Sequence, residues 1–489
     1  MLTRPYICDK IIMFTNVNKF SKGDNTMSGK KLSVATKLKY AVGDFGMAVV
    51  TAILQFGQNK YYTDTALINP WIIGLAMLLG KITWDLANDV LFGYLEDKTK
   101  SRWGKRRPYL IFGALPFALT FWIMFSLPVS QGNDLFDFFL IIITFIVFDT
   151  FHTLTNTAYS AMTAEITDDY DERTSLTTYR MIFSVIGYLG GAATSLMIPS
   201  MIADAFNLTI QQGWSYVALV VGILAGIAIL IPGLFLKYTP AVEDKPPQMP
   251  PMKAIFTTLK NKPFVSYLIV TMIMSISFTM VTSMLGYYID SYLKIEGIMG
   301  TLIMIAMLVV LGLFLVPCGI ISNKIGKAKT YALGLSIASV ALIAVFFLPE
   351  DCGVWVYIFA AMAGMGFSAQ WVCPHSMIPD VIEYDELVTG ERREGVYYGM
   401  QATATKVTAA LASLITNWVL NFAKYDAKLG LQNQPASAQW AIRVLFALIP
   451  AIFLLICVPL LIKYPITKES HAEVVKQLEE RRKLQKETK

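Results

Sequence analysis

Residues 81–108 read K-I-T-W-D-L-A-N-D-V-L-F-G-Y-L-E-D-K-T-K-S-R-W-G-K-R-R-P, and this stretch decides the fold. Its first half is apolar enough to lie in a bilayer, yet it carries two carboxylates. Its second half is a short, densely basic loop. Asp85, Asn88 and Asp89 stand at i, i+3 and i+4, so a helix places all three on one face. Acids at membrane depth are costly, and where they occur they mark ion or proton pathways. The rest of the chain reads as a pore built around that face.

Composition agrees. The chain has 489 residues, of which 55% are hydrophobic and only 16% charged, against about 25% charged in a soluble domain. Apolar blocks at 110–127, 138–147, 217–236 and 444–463 include lengths that match a bilayer core. A polytopic all-α membrane protein follows. The net charge of +6 sits in short loops, so it speaks of orientation and not of nucleic acid. Cys8, Cys318, Cys352, Cys373 and Cys457 show no paired or metal-like spacing, and the four in or beside apolar spans read as small buried hydrophobes, while three histidines are too few for a His-rich metal site. With no nucleophile–base set in view, an enzyme is not expected.

Twelve spans are expected, in two six-helix halves. Residues 1–37 read as a disordered cytosolic tail, within which Met27 is an alternative start. The first half (38–236) holds helices near 38–61, 71–95, 109–127, 135–161, 177–202 and 214–236. A Pro- and Lys-rich stretch, 237–263, reads as a cytosolic linker. The second half (264–463) holds helices near 264–289, 297–321, 330–347, 354–372 with a polar extension, 395–422 and 440–463. Residues 464–489, opened by the N-cap candidate Thr467, read as an exposed cytosolic helix. Lys98, Lys100, Arg102, Lys105, Arg106 and Arg107 make the 98–107 loop cytoplasmic, and the alternation of basic loops puts both termini inside. On the first helix Asp44, Thr51, Gln55 and Asn59 form a polar stripe, the pattern of a helix lining a wet cavity.

The halves repeat. Y-Y-T-D at 61–64 answers Y-Y-I-D at 287–290; W-G-K-R-R at 103–107 answers I-G-K-A-K at 325–329; and the charged loop at 164–173 answers that at 379–393. Each pair lies about 220 residues apart, as expected of two parallel six-helix repeats in a major-facilitator fold.

W-D-L-A-N-D followed by S-R-W-G-K-R-R-P-Y resembles the signature of the glycoside–pentoside–hexuronide:cation symporters, the melibiose-permease family. The likeness covers nearly all of residues 37–482 and includes Y-Y-T-D, Arg180, D-V-I-E-Y at 380–384, Arg392, Glu394, Tyr398, Gln401 and Lys406. It implies a multi-pass transporter of the plasma (bacterial inner) membrane, acting as a monomer among membrane lipids. It would import a glycoside, oligosaccharide or uronide by alternating access, with Na⁺ or H⁺ as coupling ion and no other cofactor.

The resemblance implies a cation site at Asp85, Asn88, Asp89 and Thr153. Carboxylates, an amide and a hydroxyl are hard oxygen donors suited to a small hard cation. An internal salt bridge from Lys81 or Lys406 is the competing reading of the acids, and the two are compatible. Where sugar-binding carboxylates and an aromatic are expected, this chain has Ala48, Asn156 and Ser160, while Arg180 is kept. Such a set favours an anionic or differently hydroxylated solute. Asp44, Thr51, Gln55, Asn156, Arg180, Trp371 and Lys406 are the solute-lining candidates, since sugars need hydrogen-bonding groups and an aromatic plate. Packing is the rival role for Trp371, and helix-to-helix hydrogen bonding for Gln55 and Asn156. Asp97, Arg102, Glu165, Arg173, Asp380, Glu383, Arg392 and Glu394 stand at helix ends as candidates for ion pairs that close the cytoplasmic side, against plain solvated loop charge. A lysolipid symporter of the same fold and a non-transporting membrane sensor are the alternative functions.

Overall fold

The computed structural model describes residues 32–99, 101–167, 170–236, 256–295, 298–390, 393–430 and 433–487. The expected tail at 1–37 and linker at 237–263 lie for the most part outside these residues. Every extended element among the described residues is helical. In the first half α1 is Val34–Lys60 continued by a π turn, Tyr61–Thr65, and α2 is Pro70–Gly80, a π turn at Lys81–Asp85, then Leu86–Lys98. There follow α3 (Arg107–Met124), α4 (Asp134–Ile166), α5 (Tyr170–Phe206) and α6 (Ile210–Phe235). In the second half α7 is Lys262–Tyr287 with a π turn at Tyr288–Tyr292, followed by α8 (Ile298–Ile325), α9 (Lys327–Phe346) and α10 (Trp355–Thr389). Then come α11 (Glu394–Phe422) and α12, which runs Ala436–Arg443, Val444–Leu448 and Ile449–Ile462. A final helix, α13, spans Lys468–Glu487.

The starts are set by local chemistry. Ser33 Oγ accepts from Thr36 N at 3.1 Å, Asn69 caps the Pro70 start of α2, Thr209 and Gln212 form a capping box, and Asn261 caps α7. Thr467 Oγ1 accepts from Ser470 N at 3.2 Å, so the expected cap opens α13. The internal repeat is visible in the backbone. Both Y-Y-x-D segments become π turns, and Gly104 and Gly326, one in each W-G-K or I-G-K loop, both turn at φ +94°, a region that suits glycine.

Among the described residues, eleven helices are long and apolar enough to cross a membrane. The other of the twelve expected spans, α11, is 29 residues long and carries Gln401, Lys406 and Asn417. Its polarity is tolerated because it packs against α2 of the first half and α7 of the second. The outer surface is apolar: Phe112, Leu115, Ile143, Val220, Leu313 and Val316 are all well exposed, as suits lipid. One buried apolar cluster fills the first half, and a second fills the second half and reaches Ala48, Ala52, Phe56, Tyr188 and Ala192 on α1 and α5. On α5, a Cβ at Gly187 would stand 2.5 Å from the Phe45 carbonyl, so the α1–α5 crossing needs the missing side chain.

Chain direction gives the bundle two ends. The basic end carries the 98–107 loop; the far end carries the two π turns that finish α1 and α7.

Candidate cation and solute site

A cavity of about 240 Å³ lies between the halves, lined by Thr51, Gln55, Gln58, Asn59, Lys81, Asp85, Asp149, His152 and Asn417 among others. On its α2 side the helix widens into the π turn Lys81–Asp85, a local defect frequent at functional sites. Opposite, α11 brings Lys406, whose Nζ donates to a carboxylate oxygen of Asp85 and to Asp89 Oδ2 at 2.6 Å. This lysine crosses from the second half to the first. It holds the two acids that the family resemblance implies for a cation, in the salt bridge that is the competing reading of those acids, and it does not line the cavity.

The remaining members lie in the seam between α2 and α4. Asn88 is 1% exposed; its Nδ2 donates to both the backbone carbonyl and Oδ2 of Asp149, each at 3.0 Å, while its Oδ1 has no partner. Thr153, one turn beyond Asp149 on α4, is 4% exposed. Trp84 Nε1 donates to Thr150 Oγ1 at 2.9 Å and fixes the same seam from the side. Among the described residues no three His, Cys, Asp or Glu side chains form a ready metal cage, and Lys406 stands between Asp85 and Asp89.

The solute candidates divide. Thr51 and Gln55 line the cavity; Gln55 Oε1 also accepts from Tyr188 at 2.5 Å, so its helix-to-helix bond is real. Tyr188 in turn meets the Trp371 ring edge-on at 5.5 Å, across the halves. Asp44 and Arg180 are elsewhere and satisfy each other: Arg180 donates to Asp44 at 2.5 and 3.2 Å and to Thr163 Oγ1 at 2.5 Å, beneath the rings of Tyr40 and Tyr159. Asn156 is exposed and does not line the cavity.

At the basic end Glu165 accepts from Arg106 at 2.7 Å, and Arg106 also donates to the buried Glu96 at 2.7 Å. Asp380 accepts from Lys327 at 2.7 Å, and His471 of α13 stands 3.3 Å from Asp380 and 2.8 Å from Glu383. These pairs all stay inside one half. Arg102 and Glu394 are exposed, the side chains of Asp97 and Arg173 are not described, and Arg392 lies outside the described residues.

The far end is joined across the halves. Lys60 of α1 donates to Asp290 of α7, Asp64 accepts from Tyr425 at 2.6 Å, and Asn417 Nδ2 donates to Asn59 at 2.8 Å. Asn59 also donates to Tyr287 Oη at 3.1 Å, the Thr63 and Tyr287 hydroxyls are 2.5 Å apart, and Trp71 stacks on Trp418 at 4.2 Å. Burial pushes the Tyr425 phenol well above its ordinary range, which keeps it a proton donor to Asp64. Sequence reasoning saw Y-Y-T-D and Y-Y-I-D as a repeat and missed that their acids bind the opposite half. It also missed Asp149 and His152, although an acid inside an apolar span is the signal that found Asp85.

Comparison with known proteins accords with this architecture. The family described as MFS/sugar transport protein matches residues 39–468. An uncharacterized symporter, sll1374, of Synechocystis is 28% identical, with 93% of this chain and 98% of that protein covered. The glucuronide carrier protein homolog of Escherichia coli is 25% identical over 93% of this chain and 98% of its own. The sodium-dependent lysophosphatidylcholine symporter 1-B of Danio rerio is 25% identical over 92% and 91%. Among solved structures, a mutant of the nucleoside transporter NupG superposes with a TM-score of 0.63 at 13% identity, covering 87% of this chain and 99% of that one, which shows a shared fold. The match over 39–468 together with the paired six-helix halves decides the assignment: this chain is a multi-pass membrane transporter that belongs to the MFS/sugar transport family.

Proposed function

We propose that the chain imports a polar glycoside or uronide together with Na⁺ or a proton, by alternating access of the central cavity. The observation that carries this reading is Lys406 of α11 lying on Asp85 and Asp89 of α2. In the empty transporter the lysine bridges the two acids, offsetting one of their charges, and ties the halves at mid-depth. A cation taken by Asp85, Asn88, Asp89 and Thr153 competes with it and frees α11 to adopt the solute-competent arrangement. Coupling then equals the difference in cation affinity between the two arrangements, and solute and cation strengthen each other's binding by the same factor.

The cavity supports a hydroxyl-rich solute. Gln55, Gln58, Asn59 and Asn417 offer amides, Thr51, Ser283, Ser413 and Thr416 offer hydroxyls, and Tyr188 with Trp371 supplies an aromatic edge nearby. The basic loops support a cytoplasmic position for the 98–107 end, both termini and the linker. The latched far end then faces outward and the protein rests open to the inside, with Glu165, Asp380 and Glu383 paired within their halves and available to re-pair across them. Both cavity walls come from one chain, which supports a monomer. A lysolipid reading has the Danio rerio relative in its favour; the amide-lined cavity speaks against an acyl chain.

Counterflow in proteoliposomes tests the reading. Labelled glycosides, glucuronides and lysolipids are offered with and without Na⁺ and at two pH values. Exchange of a glycoside or glucuronide that depends on the cation is expected. Exchange of lysolipid alone would replace the solute class, and exchange of nothing would favour a sensor.

A further inference from the structure

We infer that Asp149 is a further ligand of the coupling cation, a carboxylate on the α4 side of a site otherwise given to Asp85, Asn88, Asp89 and Thr153. The inference rests on the cation reading of α2 given above. Four observations carry it. The α2 pair already shares one counter-charge, because Lys406 binds both Asp85 and Asp89. Asp149 is 6% exposed, and among the described residues no lysine or arginine stands within ion-pair distance of it. Its described hydrogen-bond partner is the neutral amide of Asn88. That amide commits its donor end to Asp149 and leaves Oδ1 buried and unpartnered in the same seam.

A buried carboxylate without a counter-charge and a buried carbonyl without a donor are each expensive. One monovalent hard cation between α2 and α4 removes both costs. Asp149 and Asp85 would supply the charge, Asn88 Oδ1 and Thr153 the neutral oxygens that an alkali ion accepts. The charged groups facing this point are Lys81, Asp85 and Asp89 from α2 and Lys406 from α11, with His152 on α4 itself. The Asn88–Asp149 bond also explains why an amide sits between the two α2 acids: it positions the α4 carboxylate while presenting its own oxygen.

The test uses the purified full-length protein, with Na⁺, Li⁺ and K⁺ as probes, and reads thermal stability and equilibrium binding of ²²Na⁺. Asp149→Asn keeps an oxygen for the Asn88 amide but removes the charge. Wild type is expected to gain stability with Na⁺ or Li⁺ and not with K⁺. Asp149→Asn is expected to melt no lower than wild type without the cation, to lose the Na⁺-induced shift, and to bind ²²Na⁺ about tenfold more weakly or worse. Asp149→Glu, which keeps the charge, is expected to recover part of the shift. A full Na⁺ shift in Asp149→Asn would overturn the proposal and leave the α2 site standing. Lower cation-free stability with equal loss of binding in both variants would make Asp149 a packing residue and overturn it too. No response of wild type to Na⁺ or Li⁺ would instead remove a metal cation from the underlying reading, and the Asp149 proposal with it.

Discussion

The two ends of the bundle handle charge in opposite ways. At the far end, Lys60–Asp290, Asp64–Tyr425 and the Asn59–Asn417 and Asn59–Tyr287 bonds all join one half to the other. Among the described residues at the basic end, Arg106–Glu165 and Lys327–Asp380 stay within a half, and His471 of the C-terminal helix α13 joins Glu383 of the second half. An end whose polar groups are spent across the interface is latched, and an end whose charges are satisfied locally can part. Between the two, Lys406 on Asp85 and Asp89 is a third crossing, at the acids proposed to take the cation. Under the proposed alternating access, this asymmetry corresponds to one state of two halves that rock as packed units.

Removing the mid-depth crossing has the largest expected effect. Lys406→Gln leaves Asp85, which is nearly buried, without its counter-charge, while the more exposed Asp89 is partly screened. Breaking such a pair costs about 2–4 kcal/mol once solvent screening is allowed for, and gradient-driven uptake should fall about a hundredfold. Uptake within a few-fold of wild type would show that the lysine is not part of coupling.

Next comes the far-end latch. Lys60→Gln or Asp290→Asn should raise the rate at which an impermeant maleimide reaches a cysteine placed at Gln55 by about tenfold, which corresponds to about 1.4 kcal/mol. The charge swap Lys60→Asp with Asp290→Lys should restore slow labelling. Equal labelling in all variants would mean that these bonds do not close the far end. Trp71→Ala removes a cross-half stack on Trp418 and should cost about 1 kcal/mol, a labelling change of about fivefold. Lys327→Gln at the basic end breaks a pair inside one half, and should leave labelling within about twofold. If it instead matched the latch variants, the contrast between the ends would fail.

The sequence is informative about these features to different degrees, for physical reasons. Helix number and the repeat are legible because bilayer thickness fixes span length and the Y-Y-x-D and x-G-K segments punctuate both halves. The α11 span is legible despite its polarity, since its neighbours on both sides were already placed. The importance of Asp85 and Asp89 follows from the cost of acids at depth, and the same argument applies to Asp149, which sits only two residues past the apolar run at 138–147. Partner choice is what a linear reading lacks. Asp44 and Arg180 are 136 residues apart, and nothing in either helix's pattern says that they meet. Lys406, 321 residues from Asp85, is nameable as one of two salt-bridge candidates, but the choice between it and Lys81 needs the packing of α11 on α2. The π turns are equally hidden, because one extra residue in a helical turn leaves the apolar period almost unchanged.

The central claim is that Asp85 and Asp89 link a cation to movement of a polar solute. Accumulation of a labelled glucuronide or glycoside in proteoliposomes, driven by an inward Na⁺ or proton gradient, tests it in wild type beside Asp85→Asn. The account predicts accumulation above equilibrium in wild type that collapses with the gradient, and none in Asp85→Asn. Accumulation of equal size in Asp85→Asn, or in wild type without any gradient, would contradict it.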